Sequence, residues 1–537
     1  MRKRLWAWVC ALSVLMLGIS VRLWSLTEGE LRTVSLSQSA RRETIASVRG
    51  TIYDRYKQPL VNRSGVYAVF VPPWDRCVET IHRTVDPQTF QAVLRNTQNG
   101  QRSLILSEYA LPASEGIVQV QVPVRYDKAA LACHVIGYVD GEGHGVCGVE
   151  RQMDDILTTY GGFADAVYRV DALGRVAMDS ALSLEYDEDC GVGGVQLTLD
   201  AQVQEIAQRV ASSSLARGAL LIARAEDMQM LASVSMPMFD PTCVEAALEC
   251  SSAPLLDRTQ INYNCGSVFK ILTAAAALES GIPAAKRYVC TGACTFDGVT
   301  IGCHAVEGHG ELDMYEAFAQ SCNGYFMQLA QDVGADPIRC MAVRGGFDRG
   351  LEVLDGALTA CALLPSAQNL SAEAALANFS IGQGELMATP YHILALTGSI
   401  VNDGVWSCPS LYLGEVNRKG ETVSRACSNA TVRLFSPETA SCLRTMLEQT
   451  VQKGTGTAAK PSSKSAGGKT GTAETGWYDR GEEVVQSWFT GYYPVEHPQY
   501  VITVLSENGG TDGRSASPLF KAVCDELEQC GLVENHT

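Results

Sequence analysis

Positive charge is what this sequence most lacks. It carries 42 Lys and Arg against 59 Asp and Glu, a formal net charge of −17 at pH 7. That balance argues against nucleic acid as a partner and against a polybasic hold on a membrane surface. It also lacks paired cysteine motifs: none of its 19 cysteines forms a C-x-x-C pair. A zinc ribbon is therefore excluded, and no metal or cofactor site is predicted. Thiols this numerous outside the cytosol imply either disulfides or a habitat without oxygen, and both remain open at this stage. Charged residues are few, 19% against 46% hydrophobic, the balance of a chain that buries a large core. At 537 residues it is too long for one domain and suits two or three.

What is there begins with Arg2-Lys3-Arg4 and an uncharged run from Leu5 to Val21, just long enough to cross a bilayer as a helix. The basic residues before it and the mixed charge after it predict a cytoplasmic N-terminus. No small-x-small cleavage site follows, so an uncleaved anchor over residues 1–26 is expected in preference to a signal peptide. Residues 27–195 mix short strand-like runs with helices. Val48 to Arg55 reads as strand and turn, and Val66 to Val71 and Val118 to Val124 alternate as strands do. No catalytic constellation is visible there, which predicts a structural or docking domain. From residue 196 the texture changes. Asp200 is a candidate N-cap for a helix with Val203, Ile206 and Val210 on one face. Strand patterns at 218–223 and 230–235 precede a helical stretch to about 400. Strands return at 467–473, 487–492 and 500–505, and a last helix carries Phe520, Val523 and Leu527. This order predicts an α+β domain over 196–537, with an antiparallel sheet completed by both ends of the domain.

Within that domain Ser267 and Lys270 form the only Ser-x-x-Lys pair in the chain. Gly266 precedes them, and Val268, Ile271, Leu272, Ala275 and Leu278 follow at helical spacing. A serine at a helix start and a lysine one turn later share a face, which brings an amine to a weak nucleophile. Taken alone, the pair is a surface serine beside a solvated lysine. Ser321-Cys322-Asn323, in a connection between two helical stretches, could bring a hydroxyl and an amide into a cleft. Ser506-Glu507-Asn508 has the same pattern, so the motif alone is a weak signal. Lys469-Thr470-Gly471, unique in the chain, continues through Thr472 as a strand of small residues that lets a substrate backbone approach. Lys469 and the hydroxyls of Thr470 and Thr472 suit a carboxylate.

In this order, Ser267-x-x-Lys270, Ser321-x-Asn323 and Lys469-Thr470-Gly471 resemble the signature of penicillin-binding proteins and serine β-lactamases. Arg49 to Arg55, and His134 to Tyr138 with Gly148-Val149-Glu150, resemble the pedestal motifs of class B penicillin-binding proteins. Ser380 to Glu385, Thr389-Pro390 and Ser487 to Tyr492 resemble further stretches of the transpeptidase domain. The resemblance covers about residues 45–525 and is to the elongation, division and sporulation members. Two departures stand out: Cys265 where the family usually has Pro, and Asp257-Arg258 where it usually reads Asn-Arg.

The resemblance implies a peptidoglycan D,D-transpeptidase without cofactor. Ser267 would attack the D-Ala-D-Ala carbonyl of a stem peptide, with Lys270 as base. Backbone N–H groups of Ser267 and Thr472 would serve as oxyanion donors. Ser321 and Asn323 would relay the proton and hold the substrate amide, while Lys469, Thr470, Gly471 and Thr472 receive the terminal carboxylate side. β-Lactams would acylate Ser267, and a SEDS-type glycosyltransferase would supply the lipid-linked glycan strands. A class A β-lactamase is disfavoured because Glu352-Val353-Leu354-Asp355 is the nearest match to a Glu-x-x-Leu-Asn loop and is misspaced. The alternatives are a D,D-carboxypeptidase and a catalytically silent β-lactam sensor or scaffold. A bifunctional enzyme is not expected, because the residues before the catalytic domain already carry the pedestal motifs. Finally, the glycine-bearing segment between Cys290 and Cys303 suggests a hairpin whose flanks could be joined by a disulfide. Cys294 is a rival partner, and reduced thiols are the other expectation.

Overall fold

The computed structural model describes residues 2–534 except 29–38, 83, 113–115, 128–129, 172, 178–181, 188, 426–429, 480–481 and 508–515. Asn508 of the second Ser-x-Asn match falls outside the described residues. Arg2–Glu28 is one helix, and its residues 2–25, with mean hydropathy 1.8, are long and apolar enough to cross a membrane.

The chain divides into two compact units whose segments alternate along the sequence. The first comprises residues 1–50, 62–125 and 158–193; the second comprises 51–61, 126–157 and 194–537. The first unit holds two three-stranded sheets. One joins Ala40–Val48, Gly162–Arg169 and Ser183–Glu185; the other places Ser64–Val71 between Ser103–Ser107 and Val118–Val124.

The second unit claims Thr51–Tyr53 because that strand runs parallel beside Gly194–Leu197, which in turn pairs antiparallel with Tyr412–Val416. The turn predicted after Tyr53 is held by Asp54, whose carboxylate accepts from the N–H groups of Tyr56 and Gln58 at 2.8 and 2.7 Å. At the unit's centre is a five-stranded antiparallel sheet. Its order is Met230–Met236, Gly218–Arg224, Tyr500–Ser506, Glu482–Tyr493, Gly467–Asp479. Both ends of the domain complete it, as the strand pattern predicted. Alternate residues of the Gly218–Arg224 strand feed two cores: Leu220 and Ile222 pack on one side, Ala219, Leu221 and Ala223 on the other. The first face is closed by the helices Ala201–Ser214 and Ala516–Gln529. Val203, Ile206 and Val210 are buried there with Phe520, Val523 and Leu527. Asp200 caps the first of these helices, accepting from the N–H of Gln202 and Val203. The other face carries Pro390–Val401, a helix buried on all sides. Its Thr397 hydroxyl meets that of Thr490 at 2.6 Å, opposite Lys469 in the register of the edge strand.

Asp257, the departing residue of Asp257-Arg258, has local partners: its carboxylate accepts from the Thr259 N–H at 3.0 Å, the Thr259 hydroxyl at 2.6 Å and Gln260 Nε2 at 2.7 Å. Arg258 is fully buried and donates to Glu507 at 2.9 Å and to the carbonyls of Ala253 and Ser252, each at 3.0 Å. Tyr263 reaches the same carboxylate at 2.8 Å, so this network anchors the arm leading to Gly266. Breaking a buried pair costs about 3–5 kcal/mol. Glu507 would keep Arg217 at 2.7 Å, which favours the lower end. Arg258→Met is therefore expected to lower the stability of the catalytic unit by about 3 kcal/mol, read as a drop in thermal midpoint. An unchanged midpoint would show that the network carries no net stability.

Candidate active site

Gly266–Phe269 forms one 3₁₀ turn, and Lys270–Glu279 continues it as an α-helix. Gly266 has φ +57°, and a Cβ there would lie 2.5 Å from the backbone oxygen of Thr472. The position thus requires glycine twice over, for conformation and for close approach to the edge strand. Its N–H donates to Gly382 O at 2.8 Å, which ties the Ser380–Glu385 stretch to the turn. Cys265 is fully buried with φ −73°, close to the angle a proline ring would enforce. The departure from proline therefore leaves the backbone where the turn needs it. Burial pushes the Cys265 thiol well above its ordinary pKa, so it stays a protonated packing group.

Ser321 stands in the connection between Met314–Ala319 and Asn323–Val333. The first helix ends in a Schellman motif: Ser321 N–H donates to Phe318 O at 3.1 Å and Cys322 N–H to Ala317 O at 2.8 Å. That geometry puts Ser321 at φ +53°, in the left-handed position usually given to glycine. A non-glycine residue held there costs about 1–3 kcal/mol, strain of the kind that gathers at functional sites. Ser321→Gly is expected to raise thermal stability by about 1 kcal/mol while slowing active-site acylation at least tenfold. A variant that is both destabilised and fully active would contradict this reading of the turn.

The three motifs converge on one hydrogen-bonded chain. Lys270 Nζ donates to Ser267 Oγ at 3.0 Å, to Ser321 O at 2.8 Å and to Asn323 Oδ1 at 2.6 Å, and lies 3.3 Å from Ser321 Oγ. From the other side Lys469 Nζ donates to Ser321 Oγ at 2.8 Å and to Thr470 O at 3.1 Å. Two amines thus flank a single hydroxyl, and both lysines are fully buried. Burial pushes Lys270 down from 10.5 to about 8. Burial first, and then the Lys270 charge, holds Lys469 well below its ordinary value. Both effects disfavour the ammonium form.

Ser267, Ser321, Asn323, Thr470 and Thr472 line a cleft of about 280 Å³, and Gly471 lies between the last two on the strand. The cleft also has residues that the motifs did not single out. Thr455 is the clearest: its hydroxyl meets that of Thr470 at 2.6 Å, and its N–H donates to Ala319 O at 3.0 Å. The only sequence signal for it is the small-residue run Gly454-Thr455-Gly456-Thr457 after the helix Pro437–Lys453. His304, Gln383 and Glu474 join the lining.

The hairpin predicted between Cys290 and Cys303 is present, with Ala293–Phe296 paired to Val299–Gly302. The Cys290–Cys303 disulfide is not: both thiols, and that of Cys294, are free. The Cys290 and Cys303 sulfurs lie within 4.8 Å of each other without bonding, and Cys290 sits on the strand just before the hairpin, where it pairs with Gly310. A Cβ on Gly324 would meet its sulfur at 2.9 Å, which places that sulfur against the helix that follows Ser321.

Comparison with known proteins bears on the family and the fold. The penicillin binding protein transpeptidase domain family matches residues 218–525. The chain is 28% identical over 485 residues to penicillin-binding protein PbpB of Mycolicibacterium smegmatis, covering 84% of this chain and 72% of that protein. It is 29% identical over 441 residues to stage V sporulation protein D of Bacillus subtilis, covering 78% and 66%. Among solved structures, the D,D-transpeptidase domain of a peptidoglycan glycosyltransferase from Eggerthella lenta superimposes with a TM-score of 0.65 at 25% identity. That match covers 90% of this chain and 99% of the other.

Proposed function

Because the chain belongs to the penicillin-binding protein transpeptidase family, on its class B branch, we propose that Ser267 is the nucleophile of its acyl transfer and Lys270 the base. The reaction is peptidoglycan D,D-transpeptidation, and β-lactams are its covalent inhibitors. The observation that carries the assignment is the Ser267–Lys270–Ser321–Lys469 hydrogen-bonded chain at the floor of the cleft.

A neutral Lys270 takes the Ser267 proton as Oγ attacks the penultimate D-alanine carbonyl. The N–H groups of Ser267 and Thr472 receive the oxyanion, a contribution of about 3 kcal/mol per donor. Ser321 passes the proton from the lysine side to the leaving D-alanine amine, and Asn323 holds the donor amide. Lys469 and Thr470 hold the terminal carboxylate. A bound carboxylate restores the Lys469 ammonium that burial suppresses in the free enzyme. An amine from a neighbouring stem peptide then attacks the ester, releases Ser267 and closes the cross-link. The test is to supply a D-Ala-D-Ala pentapeptide donor with an acceptor amine, then measure D-alanine release and cross-linked dimer. Release without dimer would make the protein a carboxypeptidase. Neither product, from protein that a β-lactam still acylates, would make it a sensor.

The Arg2–Glu28 helix is consistent with a membrane anchor. In this reading residues 1–26 hold the protein with its N-terminus in the cytoplasm. Residues 27–195 are the pedestal and 196–537 the transpeptidase domain. A SEDS-type glycosyltransferase alongside makes the glycan strands. A chain starting near residue 30 should accordingly be soluble without detergent and take up fluorescent penicillin at the full-length rate. A folded but unreactive product would give the helix a role beyond tethering.

A further inference from the structure

The cleft carries one charge that the transpeptidase steps leave without a task. Among the described residues that line it, Glu474 is the only carboxylate. It stands on the same edge strand as Thr470 and Thr472, at two-residue intervals, so the three side chains share one face. The backbone is fixed there. Glu474 pairs with Val485 across the sheet, and its carbonyl accepts from Asn264 Nδ2 at 3.3 Å. Trp488 Nε1 in turn donates to Asn264 O at 2.9 Å. The Glu474 side chain itself is exposed, and its carboxylate has no hydrogen-bond or ion-pair partner among the described residues.

We infer that Glu474 selects donors by charge, receiving the side-chain ammonium of the residue that precedes D-Ala-D-Ala in the donor stem peptide. The inference rests on the transpeptidase reading of the cleft and names a part of the substrate which that reading leaves open. Cross-linking joins a side-chain amine of one stem peptide to the D-alanine carbonyl of another. Every donor not yet used as an acceptor therefore carries the same amine upstream of its own reacting carbonyl. The lengths agree. Glu474 is four positions beyond Thr470 on the strand, about 13 Å at ~3.3 Å per residue. Two extended D-alanines, starting from a carboxylate held at Thr470, cover about 7 Å of that distance. A four-carbon stem ending in an ammonium, met by the Glu474 side chain, closes the remaining ~6 Å. A donor whose amine is already acylated in a cross-link has lost the charge. The enzyme would discriminate against it and draw its donors from newly made strands.

The test compares three soluble D-Ala-D-Ala pentapeptides on the full-length chain in detergent. One keeps its side-chain amine free and one has it N-acetylated. The third has it N,N-dimethylated, which adds bulk and keeps the charge. The rate of the first D-alanine released per chain is read as a ratio between donors, so a general effect of a substitution on acylation cancels. Wild-type protein should use the free and dimethylated donors about fivefold faster than the acetylated one, the top of the range for a solvent-exposed ion pair. Added salt should shrink that preference, because the pair forms at the open side of the cleft. Glu474→Gln should bring the three rates within about twofold of one another, and Glu474→Lys should reverse their order. Should a variant misfold, the salt dependence of the wild type decides in its place. Equal use of charged and acetylated donors by the wild type overturns the inference and leaves the transpeptidase reading standing. So does a preference that survives in Glu474→Gln or at high salt. A dimethylated donor as slow as the acetylated one assigns the preference to size and overturns it too. D-Alanine release from none of the three brings down the transpeptidase reading, and this inference with it.

Discussion

Ser267→Ala is expected to abolish covalent labelling by fluorescent penicillin and to reduce peptide transfer to background. No other hydroxyl replaces it: Ser321 Oγ is held between two amines and lies deeper, on a nearly buried residue, whereas Ser267 is half-buried at the cleft surface. The change removes one hydroxyl and leaves Lys469, Thr470 and Asn323 in place. The variant should therefore still bind a D-Ala-D-Ala donor reversibly and unfold within about 0.5 kcal/mol of wild type, the usual range away from buried features. Gel fluorescence gives the first reading and calorimetric titration the second. A label that survives the substitution would move the nucleophile elsewhere.

Lys270 carries the second large effect. As general base it acts only when neutral, and burial brings its pKa from 10.5 to about 8. The sign follows directly. Acylation of wild-type protein should rise tenfold per pH unit below about 8 and level off above it. At neutral pH it should run at about a tenth of its plateau. Lys270→Ala should slow acylation about 10²–10⁴-fold at every pH. Lys270→Arg should do no better, because a guanidinium stays protonated throughout this range. Stopped-flow acylation by a chromogenic β-lactam across this range would read the profile. A rate that does not vary between one unit below and one unit above pH 8 would remove Lys270 from the base role.

Much of the catalytic unit was legible because its signals are local. Helical spacing behind Gly266 marks the helix carrying Lys270, and Val268, Ile271, Leu272 and Ala275 are all buried as that spacing requires. The strand patterns at both ends of the domain anticipated a sheet that only tertiary pairing assembles. What the sequence withheld depends on backbone shape or distant register. Nothing in the letters around Ser321 announces a left-handed serine at a helix end. Thr455 reaches Thr470 only because the small residues beside it let that loop meet Ala319. Spacing did place Cys290 and Cys303 around one hairpin, and their sulfurs lie within 4.8 Å of each other, but as free thiols.

The Thr51–Tyr53 strand has a consequence for synthesis of the protein. Its neighbour Gly194–Leu197 takes its other partner from Tyr412–Val416, so the sheet cannot be completed until most of the chain exists. At ribosomal rates of 5–20 residues per second, the first strand waits about 20–70 s for the last. During that interval residues 51–61 and 126–157 have no finished unit to join, although both lie between segments of the first. Folding of these two segments therefore waits on the carboxy-terminal half, whereas the sheets of the first unit pair only among strands between residues 40 and 185. A ribosome stalled between residues 197 and 412 would leave an unpaired strand edge available to a chaperone or to a second nascent chain.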